Sequence, residues 1–277
     1  MTLAPIGGLL TAARTRRRGL VAMNVIQLEH AEAIVDGAER ADRPVVLQVS
    51  ENTVRYHGAL APIALAALRI AADSTTAVCV HLDHATGFDL VRKAVELGIR
   101  SVMFDASTLP HDANVAATRE VAAWCRQRGV GVEAELGEVG GKEGAHAVGV
   151  RTDPDDAADY VAATGVDSLA VAVGSAHARL TRDTQLDDDL IAALAAKVPV
   201  PLVLHGSSGV PDDGLLSAIA AGMTKINIAT HLNVTMSRAV RSALEADPKL
   251  ADPRKYLGPG REAVANEVAR LLTLLSG

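Results

Sequence analysis

Short apolar, β-branched runs alternate with Ala-rich helical stretches along this chain, and no other feature constrains its fold so tightly. Strand-like runs fall at 20–24, 45–49, 77–82, 101–104, 130–136, 168–173, 202–204 and 225–228. Stretches of helical character follow them at 28–39, 62–72, 88–97, 112–128, 155–164, 187–197, 213–221 and 232–246. Strand and helix repeated eight times predict an α/β fold, a single (β/α)8 barrel spanning residues 1–277, with a lead-in helix over 5–18 and a closing helix over 254–275. Pro44, Gly98, Gly129, Gly165, Pro199 and Gly222 stand where helices should stop and strands begin. An open doubly wound sheet is disfavoured, because the first strand is followed by no GxGxxG and the pattern does not break into halves.

Composition narrows the function. The 277 residues carry a net charge of −6 and only 2% are aromatic, which argues against a nucleic-acid surface with its basic stripe and stacking rings. Apolar runs of four to seven residues are far short of the roughly 18 that would suggest a membrane span. The arginines near the start follow the apolar stretch, the reverse of a secretory signal. Cys79 and Cys125 are too few for a disulfide framework and too far apart for a CxxC, so a reducing cytoplasm is expected.

Parallel barrels take their catalytic groups from the C-terminal ends of the strands. Those positions here hold Asn24, Ser50, Asp83-His84, Asp105, Glu133 with Glu135, His177, His205, and Asn227 with Thr230. Three histidines on three strand ends form the ligand set of a catalytic zinc with a position left open. Such a metal polarises a carbonyl or lowers the pKa of a water, and Asp83 is adjacent to exchange protons. The run His205-Gly206-Ser207-Ser208-Gly209, just before a helix, suits a phosphate. Each item alone also describes an ordinary structural residue or loop; coincidence in register gives the set its weight. For His81, inside a strand, a role supporting the centre is preferred over plain interior packing. Lys225 is read as structural or surface, in preference to a Schiff-base lysine.

The same residues fall in stretches that resemble the class II, zinc-dependent ketose-bisphosphate aldolases, the group of fructose- and tagatose-bisphosphate aldolases. They are Ala22-Met23-Asn24-Val25, Val78 to His84, Phe104-Asp105-Ala106-Ser107, Val132 to Gly137, Gly174-Ser175-Ala176-His177, Leu204 to Gly209, Lys225-Ile226-Asn227-Ile228 and Asp252-Pro253-Arg254, in the family's order. The resemblance implies Zn2+ on His84, His177 and His205, with Asp83 as the acid/base at the oxygen formed when the carbon bond breaks. Glu143, in the loop Gly140-Gly141-Lys142-Glu143, resembles a mobile-loop glutamate that handles the proton at the dihydroxyacetone-phosphate carbon. Asp105 and Glu135 match a second, non-catalytic cation position, divalent or monovalent. Asn24 and Ser50 match groups around the triose and the sugar-side phosphate. Gly206, Ser208, Asn227 and Thr230, with Ala178, match the dihydroxyacetone-phosphate half. Arg254 resembles an arginine that crosses a subunit interface to the distal phosphate, which implies a homodimer or homotetramer.

The implied reaction is reversible cleavage of a ketose bisphosphate, such as fructose or tagatose 1,6-bisphosphate, to dihydroxyacetone phosphate and glyceraldehyde 3-phosphate, a step of carbohydrate metabolism such as glycolysis. This chain departs from the family at Ala178, often Gly, and at Ala229 and Lys142, where an acidic residue is often found. Those changes leave the metal triad intact and bear on substrate choice. Other readings are an aldolase of a different phosphorylated ketose, a non-catalytic phosphosugar-binding relative and, well below them, a zinc hydrolase, which usually needs an HxH pair where Asn24 stands.

Overall fold

Strands buried on both faces must be apolar almost throughout, and they pair in parallel when helices cover the outer face. In the computed structural model, which describes residues 3–136 and 151–277, the eight runs close into one barrel in sequence order, every neighbouring pair parallel. After α1 (Ile6–Arg16), the units are β1 (Leu20–Asn24) with α2 (Leu28–Ala41), and β2 (Val45–Ser50) with α3 (Glu51–His57) and α4 (Ala61–Asp73). They continue with β3 (Val78–Ala85) and α5 (Phe88–Glu96), β4 (Ser101–Phe104) and α6 (His111–Arg126), and β5 (Gly131–Leu136) and α7 (Pro154–Thr164). The last are β6 (Ser168–Val171) with α8 (Asp188–Lys197), β7 (Leu202–Leu204) with a single 3-10 turn and α9 (Asp212–Ala221), and β8 (Met223–Ile228) with α10 (Thr230–Ala246) and α11 (Pro253–Ser276).

Local chemistry explains the helix starts. Asp153, before Pro154, accepts from the amides of Asp155 (2.8 Å) and Asp156 (3.2 Å), and Asp187 accepts from that of Leu190 at 3.0 Å. Each such cap is worth about 1 kcal/mol. Ile6 and Leu10 of α1 pack on Leu20, Ala22, Val46 and Cys79, closing the barrel's N-terminal mouth. Gly37 of α2 lets α11 approach, since a Cβ there would lie 2.5 Å from the Ala265 carbonyl oxygen. With one end plugged and the wall sealed, the described residues leave the barrel's interior open at its C-terminal face, where this fold receives ligands.

The structure corrects the sequence reading in places that matter. A short helix, α3, was not expected; Ser50 caps it by accepting from the Thr53 amide at 3.2 Å, and Gly58, in the left-handed region, ends it. Strand β3 does not stop at residue 82. It runs to Ala85 through a break in register, with His84 at φ 51°. Strand β6 stops at Val171 because Thr152 takes both polar groups of the Ala172 backbone. Among the described residues, no helix is long and apolar enough to cross a membrane.

Candidate active site

In a strand, side chains alternate between faces, so residues two apart share the barrel interior. Gln48 with Ser50, His81 with Asp83, Glu133 with Glu135, and Lys225 with Asn227 are such pairs. The first-named residue of each pair lies deeper, and all four of those are buried. The second-named residues, with Asn24, reach the C-terminal end.

His84, His177 and His205 come together there, with a ring nitrogen from each within 4.8 Å of the others. Their ring centroids are 4.7 to 5.7 Å apart, the rings nearly perpendicular. The irregular turn of β3 at His84 aims its ring inward, a left-handed conformation that costs a non-glycine residue about 1–2 kcal/mol. His84 Nδ1 lies 2.8 Å from Asp105 Oδ2, and His205 Nε2 lies 3.0 Å from Glu133 Oε1. A carboxylate only accepts, so each of those nitrogens carries the proton and donates it. The remaining nitrogens, His84 Nε2 and His205 Nδ1, then face each other with lone pairs at 3.0 Å. Two lone pairs at that distance repel unless a cation lies between them, which is the donor chemistry a zinc site requires.

Asp83 lies at the edge of this centre, its Oδ1 3.9 Å from His84 Nε2. Asn24 donates its amide to Asp83 Oδ2 at 3.0 Å, and Gln48 donates to Asn24 Oδ1 at 3.2 Å, which fixes the way Asn24 faces. Asp83 Oδ1 is buried and has no hydrogen-bond partner among the described residues. Burial pushes the Asp83 carboxyl up, but His84, His205, Lys225 and the Asn24 amide outweigh it and hold it below the ordinary carboxylate value. An ionised oxygen without a partner, beside the histidines, is equipped to take a proton from a bound molecule. Burial, reinforced by neighbouring His84, depresses His205 well below the ordinary histidine value, which keeps the ring neutral and able to ligate.

The other predicted residues divide into groups. Glu135 Oε2 lies 3.6 Å from His205 Nδ1, and His84, Asp105 and Glu135 form a second possible ligand group. Asp105 also accepts from the Ser107 hydroxyl at 2.6 Å. Gly206 is left-handed at φ 67°, and a Cβ on it would meet the Ala176 backbone at 2.6 Å, so the chain there passes where only glycine fits. Ser208 accepts from the Ala229 amide at 3.2 Å, Asn227 Oδ1 is buried without a partner among the described residues, and Thr230 opens α10. Ala178, where the family often has glycine, is itself left-handed at φ 58°. Ser50 caps α3 at the end of β2. Arg254 is separate from this set: it is exposed and paired with Asp252 at 2.8 Å on the first turn of α11. Glu143 and Lys142 lie outside the described residues.

Sequence reasoning did not single out Gln48, left Glu133 without a role, and allowed Lys225 a surface position. Lys225 is 0% exposed, with its ammonium 2.8 Å from Glu133 Oε2. The signal that would have found all three is parity, since each lies two residues before a strand-end polar group. His81 is buried, with Nδ1 2.7 Å from the Ser101 hydroxyl.

Fold and centre together define a barrel protein that carries, at its strand ends, a group of side chains able to hold a metal ion and a buried carboxylate. The family model of class II fructose-bisphosphate aldolases matches residues 5–277. The chain is 36% identical over 273 residues to a fructose-bisphosphate aldolase of Staphylococcus aureus, covering 97% of this chain and 95% of that one. It is 38% identical over 273 residues to a probable fructose-bisphosphate aldolase of Bacillus subtilis, with the same 97% and 95% coverage. Among solved structures, the YdjI aldolase of Escherichia coli superposes with a TM-score of 0.87 at 30% identity, covering 99% of this chain and 97% of that one. The chain belongs to the class II fructose-bisphosphate aldolase family, whose chemistry is that of a lyase.

Proposed function

We propose that this protein is a zinc-dependent aldolase that reversibly cleaves a ketose bisphosphate, fructose 1,6-bisphosphate or tagatose 1,6-bisphosphate in type, to dihydroxyacetone phosphate and glyceraldehyde 3-phosphate. The observation that carries this reading is the pair of facing lone pairs on His84 and His205 beside the unpartnered Asp83 Oδ1. Zinc held by His84, His177 and His205 supplies a Lewis acid that offsets the negative charge developing on the substrate as its carbon bond breaks.

The chain's own residues do the rest. Asp83 takes the proton from the hydroxyl beside the bond that breaks and returns it in the reverse direction. Asn24, held by Gln48, keeps that carboxylate turned toward the centre. The glycine turn at Gly206, with Ser208, Asn227 and Thr230, grips the phosphate of the dihydroxyacetone half, while Asn24 and Ser50 meet the other half. Glu143 handles the proton at the dihydroxyacetone-phosphate carbon, and Asp105 with Glu135 hold a second cation. Arg254 binds the distal phosphate of a neighbouring subunit in a cytoplasmic homodimer or homotetramer, exchanging its exposed pairing with Asp252 to do so.

Left-handed Ala178 favours one variant of this reading, an aldolase of a different phosphorylated ketose, because it alters the loop beside His177. The test is a substrate panel of fructose and tagatose bisphosphates and monophosphates, run with chelator and after zinc is restored. Cleavage of a bisphosphate that chelator stops and zinc restores is the expected result. A full complement of zinc with no turnover on any ketose phosphate would instead point to a non-catalytic phosphosugar-binding relative. Borohydride trapping of substrate on a lysine would overturn the metal mechanism.

A further inference from the structure

A fully buried ion pair in a barrel interior calls for a reason, because taking two charges out of water costs more than an apolar pair of similar volume. Lys225 and Glu133 are such a pair, 0% and 3% exposed, in contact at 2.8 Å. Glu133 divides its oxygens: Oε2 accepts from the Lys225 ammonium, and Oε1 accepts from His205 Nε2 at 3.0 Å. His205, also 0% exposed, turns its other nitrogen toward His84.

We propose that Glu133 and Lys225 are positioning residues that fix His205 in the tautomer with its proton on Nε2, so that Nδ1 is presented to the metal. This rests on the metal reading above. The division of labour follows from geometry. A carboxylate beside Nε2 excludes the opposite tautomer, which would set lone pair against carboxylate oxygen. Lys225 holds the carboxylate's other oxygen and balances its charge, so Glu133 stays directed at His205. The same contact occupies the ammonium of Lys225, which is fully buried near the centre.

The test uses the double variant Glu133→Leu with Lys225→Met, which removes the pair together and leaves no buried charge unpaired, alongside Glu133→Gln alone. Long-range proton–nitrogen NMR of the metal-free protein reads the tautomer of His205, assigned by its loss in His205→Gln. Chelator competition with Zn2+ reads affinity without reference to activity. The wild type is expected to show the single Nε2–H tautomer. The double variant is expected to fold, show mixed tautomers and bind zinc about 10- to 100-fold more weakly, with Glu133→Gln weakened in the same range. A double variant with an unchanged tautomer and zinc affinity within about threefold of wild type overturns the proposal, since a purely structural pair predicts that outcome. A wild type that takes up no zinc yet shows the single tautomer, lost in the double variant, overturns the metal reading and leaves the positioning of His205 supported.

Discussion

Two parts of the C-terminal face are built differently. Around β5, β7 and β8, the side chains of Glu133, His205 and Lys225 are buried and tied to one another by hydrogen bonds, with the buried Asp83 of β3 beside them and tied to Asn24. On the segment after β6, Ala178, Arg179 and Leu180 are exposed, and Arg179 pairs with Asp183 at 2.7 Å on the surface. That segment borders a cleft of about 520 Å3 lined by Arg179, Arg182, Arg238 and Arg270, among others, with Ser208 beside them. The departure from the family at Ala178 falls on the exposed side, and that at Ala229 falls where β8 ends. Of the three clustered histidines only His205 lies in the buried network; His84 and His177 are half-buried, and His177 stands on the segment after β6 itself. Groups in that network cannot move without leaving a buried polar atom unpaired, while the exposed segment can change at small cost.

The comparison makes graded predictions. On the buried side, Asp83→Asn should keep its zinc and lower kcat by about 10²- to 10⁴-fold, the range for loss of a proton-transfer group; unchanged kcat would remove Asp83 from the chemistry. Gly206→Ala, which combines a positive φ with a 2.6 Å approach to backbone, should lower Tm by roughly 4–8 °C, or about 2 kcal/mol. A variant as stable as wild type would show that the turn is not constrained.

How much of this was legible in the sequence follows the same division. Asp83, His84, His177 and His205 stood out because ionisable groups at the ends of apolar strands are costly unless they serve a purpose. The course of β3 through Asp83 and His84 did not, since a break in register is a product of closure against β4 rather than of local propensity. Helix α3 is seven residues long, too short to show a helical period. For Lys225 the sequence leaves a structural and a surface position both open, because lysine in a strand normally marks solvent. Only the carboxylate of Glu133, 92 residues away in sequence, permits its burial.

Smaller effects are expected on the outer rim. Burial alone would raise the Glu267 carboxyl, but its bonds to His231 and Arg270 outweigh that and hold it at about 2, against the usual 4.5. A carboxyl depressed on folding contributes stability that is fully present above about pH 4.5 and is lost as pH falls toward 2. Glu267→Gln should therefore lower Tm by roughly 2–4 °C at pH 7, with the gap closing at pH 2. A gap that persists at pH 2 would assign the effect to packing. The smallest expected change is Ala178→Gly, which relieves a left-handed alanine and should raise Tm by about 2 °C. A fall in Tm would mean that the segment after β6 is more tightly held than its exposure suggests.

Diffraction at the zinc absorption edge, from crystals of the protein supplied with zinc, addresses the central claim most directly. The account predicts one strong anomalous peak bounded by His84 Nε2, His205 Nδ1 and the His177 ring, and no such peak in His177→Ala. Zinc-loaded crystals with no peak among the three histidines, or with the peak undiminished in His177→Ala, would contradict it.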